Sequence, residues 1–166
     1  YYFNEDGEML DGWHEENGDV YYLGGEDEGW RAENQWLWLE KPGDADEDDD
    51  DEQILTCADE DDCDDEGWYW FGSNGKMYKD TGKKKVNGRY YMFNEHGQML
   101  YEWINNTPTK VTGTPSNAQL DGIATAGSAT IENMYYYNIV EEGWRGDGWY
   151  EIDGSEDVGT DSDKDW

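Results

Sequence analysis

Carboxylate groups are the most abundant candidates for chemistry in this sequence. Asp and Glu account for 42 of the 166 residues, against 11 Lys and Arg, and the net charge is -31. Their density is highest within residues 41–66, where Asp44-x-Asp46-x-Asp48 begins like the loop of an EF-hand. The glycine at position six and the glutamate at position twelve of such a loop are missing, so an EF-hand is excluded.

Dense carboxylates repel one another unless cations lie among them, and oxygen ligands suit Ca²⁺. One hypothesis is therefore weak Ca²⁺ binding by this acidic stretch, and the other is a solvated loop that binds no metal. No cofactor is required on either hypothesis. The candidate Ca²⁺ ligands are Asp44, Asp46, Asp48, Asp59 and Asp61.

The only two cysteines, Cys57 and Cys63, lie in the same acidic stretch. Five residues separate them and no histidine is nearby, which is a poor pattern for zinc because zinc takes four ligands. We expect a disulfide that closes a small loop, with free thiols or a bond between chains as the alternatives.

The net charge restricts the classes of partner. A chain at -31 lacks the basic face that binds nucleic acid, and it would be repelled by an anionic membrane surface. No apolar run is long enough to span a bilayer, so membrane insertion is not expected. Metal ions, organic ammonium groups and basic partners fit the charge better.

No catalytic constellation is visible in the sequence. His14 and His96 both lie in hairpin-turn contexts, and we interpret them as surface residues rather than general bases. No glycine motif that cradles phosphate is present. The chain is therefore predicted not to be an enzyme. It begins inside a repeat without an initiator Met, so we interpret it as a fragment of a longer polypeptide.

Runs of aromatic residues form the predicted strands that would position the candidate functional residues. Each run alternates its side chains as a strand does, and it is followed by Asn, Asp and Gly in turn-forming order. A lone hairpin is marginal in water, whereas stacked hairpins bury one another's aromatic rings. The period of about 20 residues is typical of solenoids. The clearest copies begin at Tyr1, Trp68 and Tyr90, with Gly7, Gly75 and Gly97 four residues after each run and Met9, Met77 and Met99 beyond.

The predicted fold class is an all-β solenoid of stacked β-hairpins that two inserts interrupt. Changes of composition set the boundaries. The predicted divisions are hairpin repeats at 1–40, 67–103 and 134–154, an acidic insert at 41–66, a Thr/Ser/Ala/Gly-rich insert at 104–133 and an acidic tail at 155–166.

The repeat phrase itself resembles a known family. Tyr-Tyr-Phe-Asn-Glu-Asp-Gly-Glu-Met-Leu-Asp-Gly-Trp at residues 1–13, repeated in part at 90–99, is similar to the cell-wall-binding repeats. That family includes the choline-binding modules of surface proteins and autolysins, and the related repeats of glucan-binding proteins and clostridial toxins. The resemblance covers the hairpin blocks and skips both inserts.

In the choline-binding branch, the resemblance implies an aromatic cage between successive hairpins. Cation–π attraction would hold a quaternary ammonium there, and a sugar would stack on the same rings. Trp30 with Trp36 and Trp144 with Trp149 match both Trp positions of the cage, whereas Val20 replaces the partner of Trp13. An aromatic core without ligand is the alternative. The candidate cage residues are Trp13, Tyr22, Trp30, Trp36, Trp38, Trp70, Trp103, Trp144, Trp149 and Tyr150.

The resulting prediction is a non-catalytic bacterial module, extracellular and associated with the cell surface or cell wall. It would recognise choline-decorated or glycan polymers. The alternative is a structural protein that self-assembles into oligomers or fibres, with a possible need for Ca²⁺, because open-ended solenoids can stack end to end. Ligand binding predicts a response to choline or sugar, whereas assembly predicts polymers that respond to Ca²⁺ or salt.

Overall fold

A computed structural model describes most of the three predicted hairpin blocks. The residues it describes are 1–42, 64–79, 81–105, 116–117, 134–149, 152–153 and 164–165. Every regular element among them is a β-strand, which confirms the all-β class. Among these residues there is accordingly no helix of the length and apolarity needed to cross a membrane.

The strands pair in small antiparallel sheets. β1 pairs with β2, β3 with β4, β5 with β6, and β10 with β11, while β7 lies between β8 and β9. The strands are β1 Trp13–Glu16, β2 Asp19–Tyr22, β3 Gln35–Glu40, β4 Glu66–Phe71, β5 Thr81–Val86, β6 Arg89–Phe93, β7 Glu102–Asn105, β8 Ser116–Asn117, β9 Met134–Tyr137, β10 Ile152–Asp153 and β11 Lys164–Asp165.

Two-residue Asn-Gly turns close the two short hairpins. Asn17 and Gly18 join β1 to β2 with φ of 55° and 82°, and Asn87 and Gly88 join β5 to β6 with φ of 49° and 86°. Positive φ at both positions is the geometry of the type I′ turn, whose twist suits a hairpin. The aromatic run is therefore the second strand of each of these hairpins, which corrects the expectation that it begins the hairpin.

The predicted turn after each run instead leads out of the hairpin. It returns only as far as a single β-bridge, and these bridges join Phe3 to Met9, Phe71 to Met77 and Phe93 to Met99. The residue three positions after the turn glycine then donates its backbone N–H to the aromatic run, at 2.8–2.9 Å. This bond recurs five times, from Leu10 to Tyr2, Ala32 to Tyr22, Tyr78 to Trp70, Leu100 to Met92 and Gly146 to Tyr136.

These turn glycines define the true period. Gly7 and Gly29 are 22 residues apart, as are Gly75 and Gly97, whereas 46 residues separate Gly29 from Gly75. The same 46 residues separate Gly97 from Gly143. The longer intervals contain residues 41–65, which lie between paired strands β3 and β4, and residues 106–133, which lie between paired strands β7 and β9.

Backbone hydrogen bonds join consecutive hairpins. Each runs from the residue two positions after a turn glycine to the aromatic run of the hairpin before. Their donors and acceptors are Met77 N to Val20 O at 2.9 Å, Met99 N to Trp68 O at 2.9 Å and Arg145 N to Tyr90 O at 2.7 Å. Each loop is therefore held on its neighbour at the same point of the repeat.

The core consists of clusters spread over several hairpins. Tyr69, Phe71 and Phe93 are fully buried, so the runs supply the core with rings rather than aliphatic chains. The clusters among the described residues are Val20, Ala32, Tyr69, Phe71 and Met77; Trp70, Val86, Tyr91, Phe93 and Met99; and Met92, Leu100, Ile104 and Tyr137.

Several predicted groups lie outside the residues that the structure describes. They are the candidate Ca²⁺ ligands Asp44, Asp46, Asp48, Asp59 and Asp61, the cysteines Cys57 and Cys63, and Tyr150. Within the described ranges, no group of three or more His, Cys, Asp or Glu could hold a metal ion. The calcium site and the disulfide stay predictions.

Candidate functional site

A cavity of about 180 Å³ lies between the β3–β4 hairpin and the β5–β6 hairpin. Its walls come from two consecutive hairpins and from two loops, so no single repeat could form it alone. We call it the aromatic cavity. The residues that line it are Trp36, Trp68, Tyr91, Met99, Glu141 and Glu142.

Trp36 makes ring contacts with both hairpins that form the aromatic cavity. It lies in β3 opposite Trp70 of β4, with the ring centroids 5.3 Å apart. On its other side Tyr91 lies at 4.8 Å, and Phe93 stacks on it at 5.6 Å with an interplanar angle of 21°. Rings at such distances and tilts attract one another through their quadrupoles. The packing therefore fixes the ring face that Trp36 presents to the cavity.

Trp68 and Met99 are positioned by the backbone as well as by packing. The Trp68 carbonyl accepts the hydrogen bond from Met99 N, which places the methionine beside the run. The Trp68 ring meets Trp38 edge-on at 5.5 Å. A thioether is apolar and polarizable, so Met99 extends the ring-lined wall without introducing a charge.

Tyr91 faces the aromatic cavity from β6 and is buried. Burial raises the pKa of its phenol, and the charge of Glu142 adds to the rise against the lowering effect of Arg89. The phenol therefore stays neutral at physiological pH. It contributes a ring face and a hydroxyl, and no charge of its own.

Glu141 and Glu142 bring negative charge to the mouth of the aromatic cavity. Both are exposed, and neither forms an ion pair with another described residue. Their loop is fixed by the N–H groups of Glu142 and Gly143, which both donate to Ile139 O at 2.9 and 2.8 Å. Gly143 also lies against Met99 so closely that an added Cβ would overlap the thioether. The two carboxylates are thus held beside the rings.

The junction between the β1–β2 hairpin and the β3–β4 hairpin has a similar arrangement of residues, with one wall of the aromatic cavity replaced. Trp13 meets Tyr69 at 4.9 Å, as Trp36 meets Tyr91 at 4.8 Å, and Met77 takes the place of Met99. Val20, fully buried, stands where Trp68 stands in the aromatic cavity. Trp13 is also tied to the β3–β4 hairpin by the bond from its Nε1 to Glu40 O at 3.2 Å. This junction has two rings and an aliphatic wall.

Trp30 and Trp144, the first members of the predicted tryptophan pairs, both follow a turn glycine. Trp30 follows turn glycine Gly29, is 37% exposed, packs on Tyr22 and donates its Nε1 to Glu28. Trp144 follows Gly143 in the same way and lies under the Arg89 guanidinium at 4.5 Å. Among the described residues predicted as cage members, Trp36 alone lines the aromatic cavity.

The remaining predicted cage residues have varied surroundings. Trp70 is buried behind Trp36, and Trp38 is exposed, with its Nε1 donating to Glu66 at 3.0 Å. Trp149 is 84% exposed. The Trp103 backbone pairs with Tyr136 in the β7–β9 sheet. The cage assignments stay predictions.

Sequence reasoning missed five of the six lining residues. Trp68, Tyr91 and Met99 were placed in the repeat without a site role, and Glu141 and Glu142 were not singled out. The signal that could have found them is the spacing of the turn glycines, because Glu141 and Glu142 directly precede Gly143 and Met99 follows Gly97 by two residues. Aligning those glycines places the two loops next to each other.

The architecture defines a class of protein, an all-β fold of repeated aromatic hairpins. Comparison with known sequences finds no matching family model and no matching curated protein. Among solved structures, the chain is similar to choline-binding protein F from Streptococcus pneumoniae in crystal form II. That match has 21% identity and a TM-score of 0.52, over 93% of this chain and 34% of the other.

Two further structures of that protein match as well. Its form in the presence of a peptidoglycan analogue, a tetrasaccharide-pentapeptide, matches at 21% identity and a TM-score of 0.51, over 92% of this chain and 33% of the other. Its complex with ipratropium matches at 21% identity and a TM-score of 0.52, over 93% and 32%. The resemblance to choline-binding repeats is thus confirmed for the fold. The chain spans about a third of the length of these structures.

Proposed function

We propose that this chain binds a choline-like organic cation of a bacterial cell-wall polymer in the aromatic cavity. The observation that carries the proposal is the meeting of three aromatic rings, a thioether and two carboxylates around one cavity of about 180 Å³. A quaternary ammonium donates no strong hydrogen bond, so ring faces and apolar contacts with its methyl groups must hold it. Trp36, Trp68 and Tyr91 supply the faces, and Met99 supplies the apolar contact.

The carboxylates favour a cation over a neutral sugar. Glu141 and Glu142 add two charges at the mouth of a site whose walls are otherwise uncharged. The net charge of -31 strengthens the attraction at long range, because a summed field concentrates counter-ions near the surface. Rings contribute about 0.5–2 kcal/mol each to cation binding. Binding in the millimolar range is therefore expected once the cost of association is subtracted.

The stacked-hairpin solenoid is part of the same proposal. Its support is the repeated hydrogen bond from Met77, Met99 and Arg145 to the hairpin before, made at one position of the repeat. In the sequence, the acidic segment lies between paired strands β3 and β4, and the Thr/Ser/Ala/Gly-rich segment lies between paired strands β7 and β9. The hydrogen bonds between consecutive hairpins recur although these two segments differ in sequence.

The location and partners follow from the ligand. We place the module at the bacterial cell surface, without a catalytic role of its own, where choline-decorated polymers would be its partners. Choline-binding protein F, with the same fold, is described in the presence of a peptidoglycan analogue. Glycan binding through the same rings and self-assembly with Ca²⁺ remain the alternatives.

Tryptophan fluorescence titrated with choline tests the proposal. We expect a saturable change at millimolar choline that glucose at equal concentration does not reproduce. Trp68→Leu removes one ring while keeping an apolar wall, and it should weaken the response. A response to glucose alone would favour glycan binding. No response to either ligand, with particle size rising on addition of Ca²⁺ in light scattering, would favour assembly.

A further inference from the structure

The loop after Gly143 repeats the geometry of the loop that completes the aromatic cavity. Arg145 follows Gly143 by two residues, as Met99 follows Gly97. Arg145 N donates to Tyr90 O at 2.7 Å, and Met99 N donates to Trp68 O at 2.9 Å. The Arg145 side chain therefore begins, at the next junction of the repeat, where the Met99 side chain begins at the aromatic cavity.

Two of the three rings of the aromatic cavity, Trp68 and Tyr91, have counterparts around Arg145. Trp68 is the fourth residue from the end of its run, and Tyr90 has that position in the next run. Tyr91 is two residues before Phe93, as Tyr135 is two residues before Tyr137. Tyr90 and Tyr135 thus take the places of Trp68 and Tyr91.

A cation already lies on these two rings. The Arg145 guanidinium carbon is 5.5 Å from the centroid of Tyr90 and 5.7 Å from that of Tyr135, within the range of cation–π attraction. The rings are 36% and 45% exposed, so their faces are reachable from solvent. The Lys85 ammonium is 5.8 Å from the Tyr90 ring as well.

We propose that Tyr90 and Tyr135 form a second organic-cation site, which the chain's own Arg145 occupies. The inference rests on the proposed function for the class of ligand, and on the contacts of Arg145 for the site itself. The guanidinium acts as a built-in ligand, so this junction is held together without choline. An external quaternary ammonium binds there only when the guanidinium is removed.

Isothermal titration with choline tests this directly. Arg145→Met installs the side chain found at Met99, and it should add one binding site to the number that the parent chain shows. Arg31→Met is the matched control, because Arg31 follows Gly29 in the same Gly-Trp-Arg sequence. Arg31 hydrogen-bonds the Tyr2 hydroxyl and the Glu33 carboxylate, so its loss should add no site. An unchanged number of sites, both in Arg145→Met and in Arg145→Met combined with Lys85→Gln, overturns the inference.

Two further variants separate the possible failures. Trp36→Ala combined with Arg145→Met should retain exactly the added site, so binding by this double variant supports the inference even if the aromatic cavity binds nothing. Arg145→Ala combined with Lys85→Gln removes both cations from Tyr90. It also covers the case in which the Arg145→Met variant does not fold. Built on Trp36→Ala, this variant should melt at a lower temperature than Trp36→Ala alone without choline and recover with it. A melting temperature that choline leaves unchanged overturns the inference.

Discussion

Glu141 and Glu142 show at the scale of single residues how charge supplements the rings. Neither is needed to hold the hairpins, since their loop is fixed through backbone N–H groups. Their carboxylates nevertheless line the aromatic cavity, next to Tyr91. Because they are exposed, screening by salt limits what each charge contributes.

Replacing both carboxylates should weaken choline binding without unfolding the protein. We expect Glu141→Gln with Glu142→Gln to raise the Kd about 2- to 30-fold, since each exposed charge interaction contributes about 0.2–1 kcal/mol. The Kd of the variant should also depend less on NaCl concentration. Isothermal titration at two salt concentrations measures both effects. Glu15→Gln with Glu16→Gln in β1 is the control, and equal losses in the two variants would contradict the role of the loop.

Glu102 predicts a pH dependence of stability. Burial raises the pKa of its carboxyl above the ordinary 4.5, and the charge of Glu141 adds to the rise. The folded state therefore holds this proton more tightly than the unfolded state does. The corresponding stability is fully present below pH 4.5 and is lost as pH rises through the folded pKa.

Glu102→Gln should remove this loss. The variant should be more stable than the parent at about pH 7, and the difference should disappear near pH 4. Urea unfolding at both pH values measures it, with the exposed Glu5→Gln as control. A variant less stable than the parent at neutral pH would contradict the assignment.

The sequence predicted the residue types of the site better than it predicted which residues line it. Aromatic residue types and the resemblance both indicated rings that could hold a cation, and Trp36 does line the aromatic cavity. Trp30 and Trp144, which the sequence paired with Trp36 and Trp149, do not line the aromatic cavity, and their cage roles stay predictions.

At the scale of elements, the turn glycines combine two requirements. Gly97 has φ of 86°, in the left-handed region, and an added Cβ would also overlap the Met77 side chain of the preceding loop. Gly88, in the hairpin turn, has the same φ of 86° but open space where a Cβ would lie. The two glycines therefore separate backbone strain from loop packing.

Gly88→Ala should cost about 1–2 kcal/mol of unfolding free energy, the usual cost of a left-handed L-residue. Gly97→Ala should cost more, because the methyl group must displace the buried thioether of Met77. Combining Gly97→Ala with Met77→Ala should cost less than the sum of the two single changes. Urea unfolding of the four variants measures this. Equal costs for the two glycine substitutions would show that loop packing contributes nothing.

Element types were predictable because aromatic alternation and turn residues act locally. The hairpin register was not predicted. The turn was assigned to the residues after each aromatic run, although Asn17-Gly18 and Asn87-Gly88 carry the stronger signal for a hairpin turn. The pairing of β3 with β4 depends on strands that residues 41–65 separate in the sequence. Local pattern alone does not specify such a partner.

At the scale of the whole molecule, the charge is the dominant property. A net charge of -31 opposes compaction through self-repulsion, which salt screens. Raising NaCl to about 0.5 M should therefore raise the melting temperature while it weakens choline binding. Differential scanning calorimetry and titration at matched salt measure the two effects. Sodium sulfate at equal ionic strength distinguishes screening from surface exclusion of the salt. A melting temperature that falls with NaCl would contradict this account.

The central claim is that the aromatic cavity binds an organic cation, and isothermal titration of three proteins with choline tests it most directly. The parent chain and Trp30→Ala should bind with the same affinity, because the Trp30 ring packs on Tyr22 and hydrogen-bonds Glu28. Trp36→Ala should lose about 2- to 30-fold in affinity at this site, since a ring face contributes about 0.5–2 kcal/mol, while its circular dichroism stays that of a folded protein. Unchanged binding in a folded Trp36→Ala, or loss of binding in Trp30→Ala, would contradict the account.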